Sequence, residues 1–315
     1  MTPLVIAALL GLATVAAGAT VGGLVIVLAA RLLPLAAAAR IGARTRASLI
    51  AQARLAPLSL TLVALPLVQL AFWRFEPAAH QETVGWVLPG LAAAGAALVL
   101  LVAVRAVRAL AATRAVARAW RAAGVCRVLP GWHGRAWTID TAFPVVAVVG
   151  VRRPEFFVSG RVLGACSAAE LTAIAAHEHA HVAARDNFTR VLFVFAPAAG
   201  AAAARLERAW AATAEEAADL AARAAGDGVT LARALTTVAR LAIGAPLAPP
   251  IAMSAFIGGD SLEARVTRLL APARPAGRTF AAVPASVLVP LGLAVALWGL
   301  PAVYEASEFL VRFGR

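Results

Sequence analysis

Lysine is absent from this 315-residue chain, and cysteine, histidine and charge of either sign are scarce. All 29 basic residues are arginine, which reads as a genome-composition bias and not as a functional signal. Two cysteines, Cys126 and Cys166, exclude a disulfide framework. Both are expected to be small buried or half-buried residues, kept reduced in the cytoplasm. Charged residues make up 14% of the chain against 62% hydrophobic, with a mean hydropathy of +0.83, and that balance excludes an ordinary soluble composition. The sequence shows no internal repeat.

The hydrophobic surplus is concentrated in four uncharged runs, 3–30, 55–73, 83–104 and 279–304. A helix needs about 20 apolar residues to cross the hydrocarbon core, so each run reads as a span. The first is not read as a secretory signal, because it lacks a basic leading segment and is too long for the apolar part of one. "GATVG" at 18–22 is a small-xxx-small pattern, taken as chance in an Ala/Gly-rich helix.

The net charge of +13 follows the spans rather than forming one patch. Arg31, Arg40, Arg44, Arg46 and Arg54 occupy the first loop without an acid, and Arg105 to Arg127 follow the third run, again without one. The second loop holds Arg74, Glu76 and Glu82. This alternation is the positive-inside pattern. It predicts an N-terminus outside, with the first loop and the long middle segment in the cytoplasm. The arginines then read as topology determinants and anionic-lipid contacts, and no nucleic acid is expected as a partner.

The chain therefore divides into a membrane region at 1–111, a cytoplasmic domain at 112–278, and a fourth span with a short tail at 279–315. The fold expected is a mostly α integral membrane protein with an α+β domain inserted between the third and fourth transmembrane helices. Arg114, Arg118 and Arg121 share one face of a helical stretch at 105–122, as an interfacial helix would have it. "AWTIDT", "VVAVVGV" and "FFV" read as short strands. "SAAE" from Ser167 is a capping box opening a helix that should run to about Asp186. The run 191–204 is too short to span and reads as one buried or membrane-surface helix, and 213–225 as another helix. Three prolines make 241–259 a loop.

Three of the chain's five histidines fall within "HEHAH", 177–181. His177-Glu178-His179-Ala180-His181 satisfies H-E-x-x-H. On a helix His177 and His181 lie one turn apart, so both rings can reach one zinc ion. Glu178 stands about 100° around the axis from His177, beside the metal rather than on it, and there it can act as general base. His179 points to the opposite side and is expected as a neighbour, not a ligand. A third ligand must come from the few downstream acids. "TAEEAAD" offers Glu215, Glu216 and Asp219. Glu215 and Asp219 are one turn apart, so one can bind zinc while the other supports a ligating histidine. "TAEE" is also a capping box that would hold Glu216. Glu207, beside Arg205 and Arg208, is a weaker candidate. His80 falls in the predicted outside loop, and His133 in a turn.

The stretch "GVRRPEFFVSGRVLGACSAAELTAIAAHEHAHVAARDNFTRVLFVFAP", 150–197, resembles the membrane metallopeptidases of the BlaR/MecR beta-lactam-sensor type. "EEAAD" looks like that family's Glu-x-x-x-Asp element, and the similarity runs from about 120 to 272. The resemblance implies a gluzincin fold, a zinc endopeptidase, Glu215 as third ligand and Asp186 and Asp219 as supporting carboxylates. It implies a protein or peptide substrate, with regulatory cleavage of a transcriptional repressor as one role. The HtpX-like and CAAX-prenyl proteases share both elements, which leaves membrane-protein quality control as another role. A zinc-binding signal transducer without activity is the third. The middle of H-E-x-x-H is usually apolar in the family, and His179 departs from that. Eleven residues after 304 leave no penicillin-binding sensor domain to expect. The strand at 156–159 is expected as the edge on which substrate adds in extended form.

Overall fold

Among the described residues, the first three apolar runs form long helices. The computed structural model describes residues 1–38, 41–76, 83–197, 200–243, 254–255, 262–272 and 298–314. In it α1 covers Pro3–Ala38, the short α2 Ala43–Arg54, α3 Ala56–Phe75 and α4 Val87–Ala123. Helices α1, α3 and α4 are long and apolar enough to cross a membrane. They turn large apolar side chains outward, including Leu24, Leu62 and Leu100 at 67%, 64% and 66% exposure, as helices facing lipid do. The stretch 105–122 is not a separate interfacial helix. No glycine or proline interrupts the chain between 104 and 123, so α4 continues straight out of its apolar part to Gly124.

The small residues at 18–22 are not incidental. A Cβ on Gly22 would overlap the Cα of Pro57, and one on Gly18 the hydroxyl of Thr61, so these glycines set the approach of α1 to α3. Between helices that lipid does not drive together, close backbone approach and interhelical hydrogen bonds supply the attraction. Gln69 adds one of these, donating from Nε2 to Ala7 O at 2.9 Å.

Beyond α4 the chain forms a mixed sheet from β1 (Gly124–Arg127), β2 (Ala136–Ile139), β3 (Val146–Val149), β4 (Glu155–Ser159) and β5 (Ser254–Ala255), in the order β1-β2-β4-β3-β5. Only β2 and β4 run parallel. The two-residue period decides which side chains meet which layer. Val146, Val148, Phe156 and Val158 face one cluster, whereas Ala147, Val149 and Phe157 face Ala117 and Trp120 of α4. The central strands are buried on both faces, and β4 is fully interior. The expectation that 156–159 forms the free edge is therefore wrong: β4 is paired on both sides, and the outer side of β3 carries β5. The strands at 124–127 and 254–255 were not anticipated, being four and two residues long. Cys126, expected to be at least half-buried, is exposed on β1, and Cys166 is buried.

The helices that follow are α5 (Gly160–Ala165), α6 (Ala168–Ala183), α7 (Asp186–Phe195), α8 (Ala201–Ala225), α9 (Gly228–Ala242), α10 (Leu262–Leu270) and α11 (Leu300–Arg312). The run at 191–204 is not one helix, because α7 stops at Phe195 ahead of Pro197 and α8 starts at Ala201. Helix α8 begins twelve residues before the helix expected at 213. Ile174 and Ala175 of α6 and Leu231, Leu235 and Val238 of α9 close the core on the sheet.

The two ends of α1 meet different parts of the chain. Ile6, Ala7, Leu10 and Ala13 pack with Phe72, Leu88 and Val311 of α11, and Tyr304 of α11 donates to Glu76 at 3.1 Å. Ile26 and Ala30 pack with Ile50, Phe193, Leu206 and Trp210. From Ile6 to Ile26 is about 30 Å of helix, the thickness of a hydrocarbon core. Residues 279–297 of the fourth apolar run and His80 lie outside the described residues.

Candidate metal centre

Ser167 caps α6 as expected: its hydroxyl accepts from Glu170 N, and the Glu170 carboxylate accepts from Ser167 N at 2.7 Å. The cap fixes the start of a helix whose third and fourth turns carry His177, Glu178 and His181, all at 3% exposure or less. The helix ends at Ala183, sooner than expected. Arg185 takes a left-handed backbone conformation, φ 57°, which turns the chain so that Asp186 opens α7 facing back to α6. The Asp186 Oδ2 lies 2.7 Å from His181 Nδ1.

Helix α8 brings Glu215 and Asp219 to the same place on successive turns, both 2% exposed. Asp219 Oδ1 stands 3.0 Å from His177 Nδ1. Each imidazole thus turns its Nδ1 to a carboxylate, which in the neutral ring puts the proton there and leaves the Nε2 lone pair aimed inward. The two Nε2 atoms are 3.2 Å apart. His177 Nε2 is 3.4 Å from Glu215 Oε2, and His181 Nε2 is 3.5 Å from Glu215 Oε1.

Those separations fit a metal. Tetrahedral nitrogen and oxygen ligands at about 2.0–2.1 Å stand about 3.3 Å from one another. His177, His181 and Glu215 form a buried group able to hold a metal ion. Three ligands of this kind leave one coordination position for water or substrate.

The charges around the group are balanced by arginines the sequence reading did not single out. Arg265 of α10, 2% exposed, donates to both Asp219 oxygens at 2.9 and 2.7 Å and lies 3.2 Å from Glu215 Oε2. One signal could have found it: Arg265 shares a helix face with the buried Leu269 and the half-buried Val266, an unusual place for a cation unless it is paired. Arg44 of α2 donates to Asp186 Oδ1 at 2.8 Å and to Ala184 O at 2.9 Å. Arg46 pairs with Glu216, and Arg54, wholly buried, donates to Glu207 at 2.7 Å. Three arginines expected as topology and lipid contacts are therefore ion-paired to this domain. Glu216 is not held by a capping box, since Thr213 lies in mid-helix with its hydroxyl on Ala209 O. Glu207 belongs to Arg54 and takes no part in the centre.

The same contacts set the ionisation. Burial alone would pull His177 down, but Asp219 and Glu215 overturn this and push it up to about 9. Burial would raise Asp219, yet His177 and Arg265 hold it at about 2. Glu215 and Asp186 also lie below the usual carboxylate range: burial works against this, and the facing histidines and arginines prevail.

His179 is the histidine turned away. Its Nδ1 donates to Ala175 O at 2.9 Å, and its ring packs 4.2 Å from Trp132, which stacks on Phe156. It braces α6 against the turn before β2. His133 lies 6.1 Å from His179, ring to ring, and is exposed, away from the ligand group. Comparison with known proteins returns no match: no family model, no curated protein and no solved structure corresponds to this chain.

Proposed function

We propose that this chain is a membrane-bound zinc metalloendopeptidase of the BlaR/MecR type, with His177, His181 and Glu215 as ligands and Glu178 as general base. The observation that carries the reading is the convergence of the three ligand atoms within 4.8 Å of one another, with both Nδ1 atoms occupied by carboxylates. Two nitrogens and a carboxylate suit zinc, which when bound supplies a Lewis acid and lowers the pKa of water. Glu178, wholly buried one residue from His177, takes the proton of the attacking water and passes it to the leaving amine. Asp186 and Asp219 hold the imidazoles in one tautomer and orientation.

Four spans, a gluzincin domain on the cytoplasmic face and regulatory cleavage of a protein such as a transcriptional repressor complete the reading. Two observations support the placement. Helix α2, in the arginine-rich first loop, is ion-paired to the domain, so loop and domain share a side. Helix α11 packs at the other end of α1, as a fourth crossing requires.

The test is Glu178→Gln. Purified wild-type protein is expected to cleave members of a proteome-derived peptide library, and the variant to keep stoichiometric zinc while cleaving none. A variant that cleaves as fast as wild type removes Glu178 from the mechanism.

A further inference from the structure

Helix α7 turns one stripe inward, Asp186, Arg190 and Phe193, at the spacing of one helix face. The two ends of the stripe are accounted for. Asp186 holds His181 and accepts from Arg44, and Phe193 meets Trp210 edge-on at 5.1 Å. Arg190 lies between them. Its guanidinium rests 5.0 Å from the centre of the Trp210 ring, on the helix that carries Glu215 five residues further on.

Among the described residues the Arg190 side chain makes no hydrogen bond, and its Nε is buried without a partner. Burial disfavours its charge and prevails over the opposing pull of Glu215, Asp186 and Glu178. Among the described residues none pairs with Arg190; Glu215 lies beside His177 and Arg265, and Asp186 beside His181 and Arg44. A buried donor without an acceptor is costly, and a guanidinium has five N–H groups in one plane. With its carbon over the Trp210 ring, the group is held by a contact that takes none of those donors. A cation–π contact fixes a guanidinium without consuming its hydrogen bonds.

We propose that Arg190 is the donor that holds the oxygen of the scissile carbonyl, a role resting on the peptidase reading above. As water adds to the carbonyl carbon its proton passes to Glu178, and the carbonyl π pair moves onto oxygen. That oxyanion accepts from Arg190. When the intermediate collapses the C–N bond breaks, the pair on oxygen re-forms C=O, and the proton goes from Glu178 to the amine nitrogen. A fixed donor aimed at a developing oxyanion is worth more to the transition state than to the bound peptide.

The test uses the full-length, zinc-loaded protein and the best-cleaved peptide of the library. Arg190→Ala is expected to lower kcat by about 10²–10³-fold with KM changed less than about threefold, and Arg190→Lys to restore part of the loss. Zinc content and melting temperature should stay at wild-type values. By calorimetry, a phosphinic analogue of that peptide should bind Arg190→Ala about 10²-fold more weakly, with the non-cleavable N-methyl amide unchanged. Wild-type kcat in Arg190→Ala overturns the role, and so does loss of zinc or a lowered melting temperature in both variants, which marks Arg190 as structural. A zinc-loaded wild type that cleaves nothing sinks the peptidase reading itself, and the proposal with it.

Discussion

Arg265 grips Asp219 through two parallel bonds, Nε to Oδ2 at 2.9 Å and Nη2 to Oδ1 at 2.7 Å, while that same Oδ1 faces His177 Nδ1. One arginine from the C-terminal part of the domain thereby fixes a histidine of the candidate metal centre through an intermediate carboxylate. Removing one partner of a buried ion pair leaves the other charge uncompensated, at about 3–5 kcal/mol. Arg265→Met should therefore destabilise the metal-free protein by roughly that amount in thermal or denaturant unfolding. Added zinc should recover part of it, because the metal replaces the lost cation beside Glu215. Wild-type stability in the variant would show that the pair contributes nothing.

In the proposed centre the carboxylates behind the histidines are expected to set metal affinity rather than metal presence. Asp186→Asn and Asp219→Asn are each expected to weaken zinc binding about 10–100-fold in a chelator competition titration. His181→Ala, which deletes a ligand, should abolish stoichiometric binding. Equal losses in all three variants would mean that the carboxylates are ligands in their own right.

Proton linkage at His177 gives the metal-free protein a specific pH profile. Its pKa is raised from 6.5 to about 9, so its stabilising contribution is complete below about 6.5 and lost as pH rises through 9. Asp219 is lowered from 3.8 to about 2, so its contribution is present above 3.8 and lost as pH falls through 2. Metal-free protein should melt highest between pH about 4 and 6.5 and fall progressively toward about 9. Zinc needs the unprotonated ring, so its affinity should rise over that alkaline window with release of a proton. A melting temperature flat from about pH 6 to 9 contradicts this linkage.

Packing of α1 on α3 depends on Gly22. A side chain there meets the backbone of Pro57, whereas Gly23 has nothing within 4 Å. Gly22→Leu should lower stability in detergent by about 1–3 kcal/mol, and Gly23→Leu by much less. Equal effects at the two positions would place the helix contact elsewhere.

Local sequence carried the chemistry far better than it carried the architecture. His177, His181, Glu215 and Asp219 were legible, because H-E-x-x-H and Glu-x-x-x-Asp put their side chains on single helix faces; Asp186, on the next helix, came only from the family resemblance. The three N-terminal apolar helices were legible for the same reason: twenty apolar residues are a local property. Arg44, Arg190 and Arg265 were not, since each acquires meaning only when a distant helix lands beside it. Strand β4 was misplaced because a short apolar run such as 156–158 reads alike at an edge and in the centre; only pairing distinguishes them. The left-handed Arg185, which aims Asp186 at His181, carried no compositional signal at all.

The central claim is that His177, His181 and Glu215 hold one zinc ion with a position left open. X-ray absorption at the zinc edge of the purified protein tests it most directly. The account predicts one zinc per chain, two imidazole nitrogens at about 2.0–2.1 Å and light oxygen neighbours at about 2.0–2.2 Å, one of them exchangeable water. Absence of stoichiometric zinc, or a closed shell of four protein ligands, would contradict it.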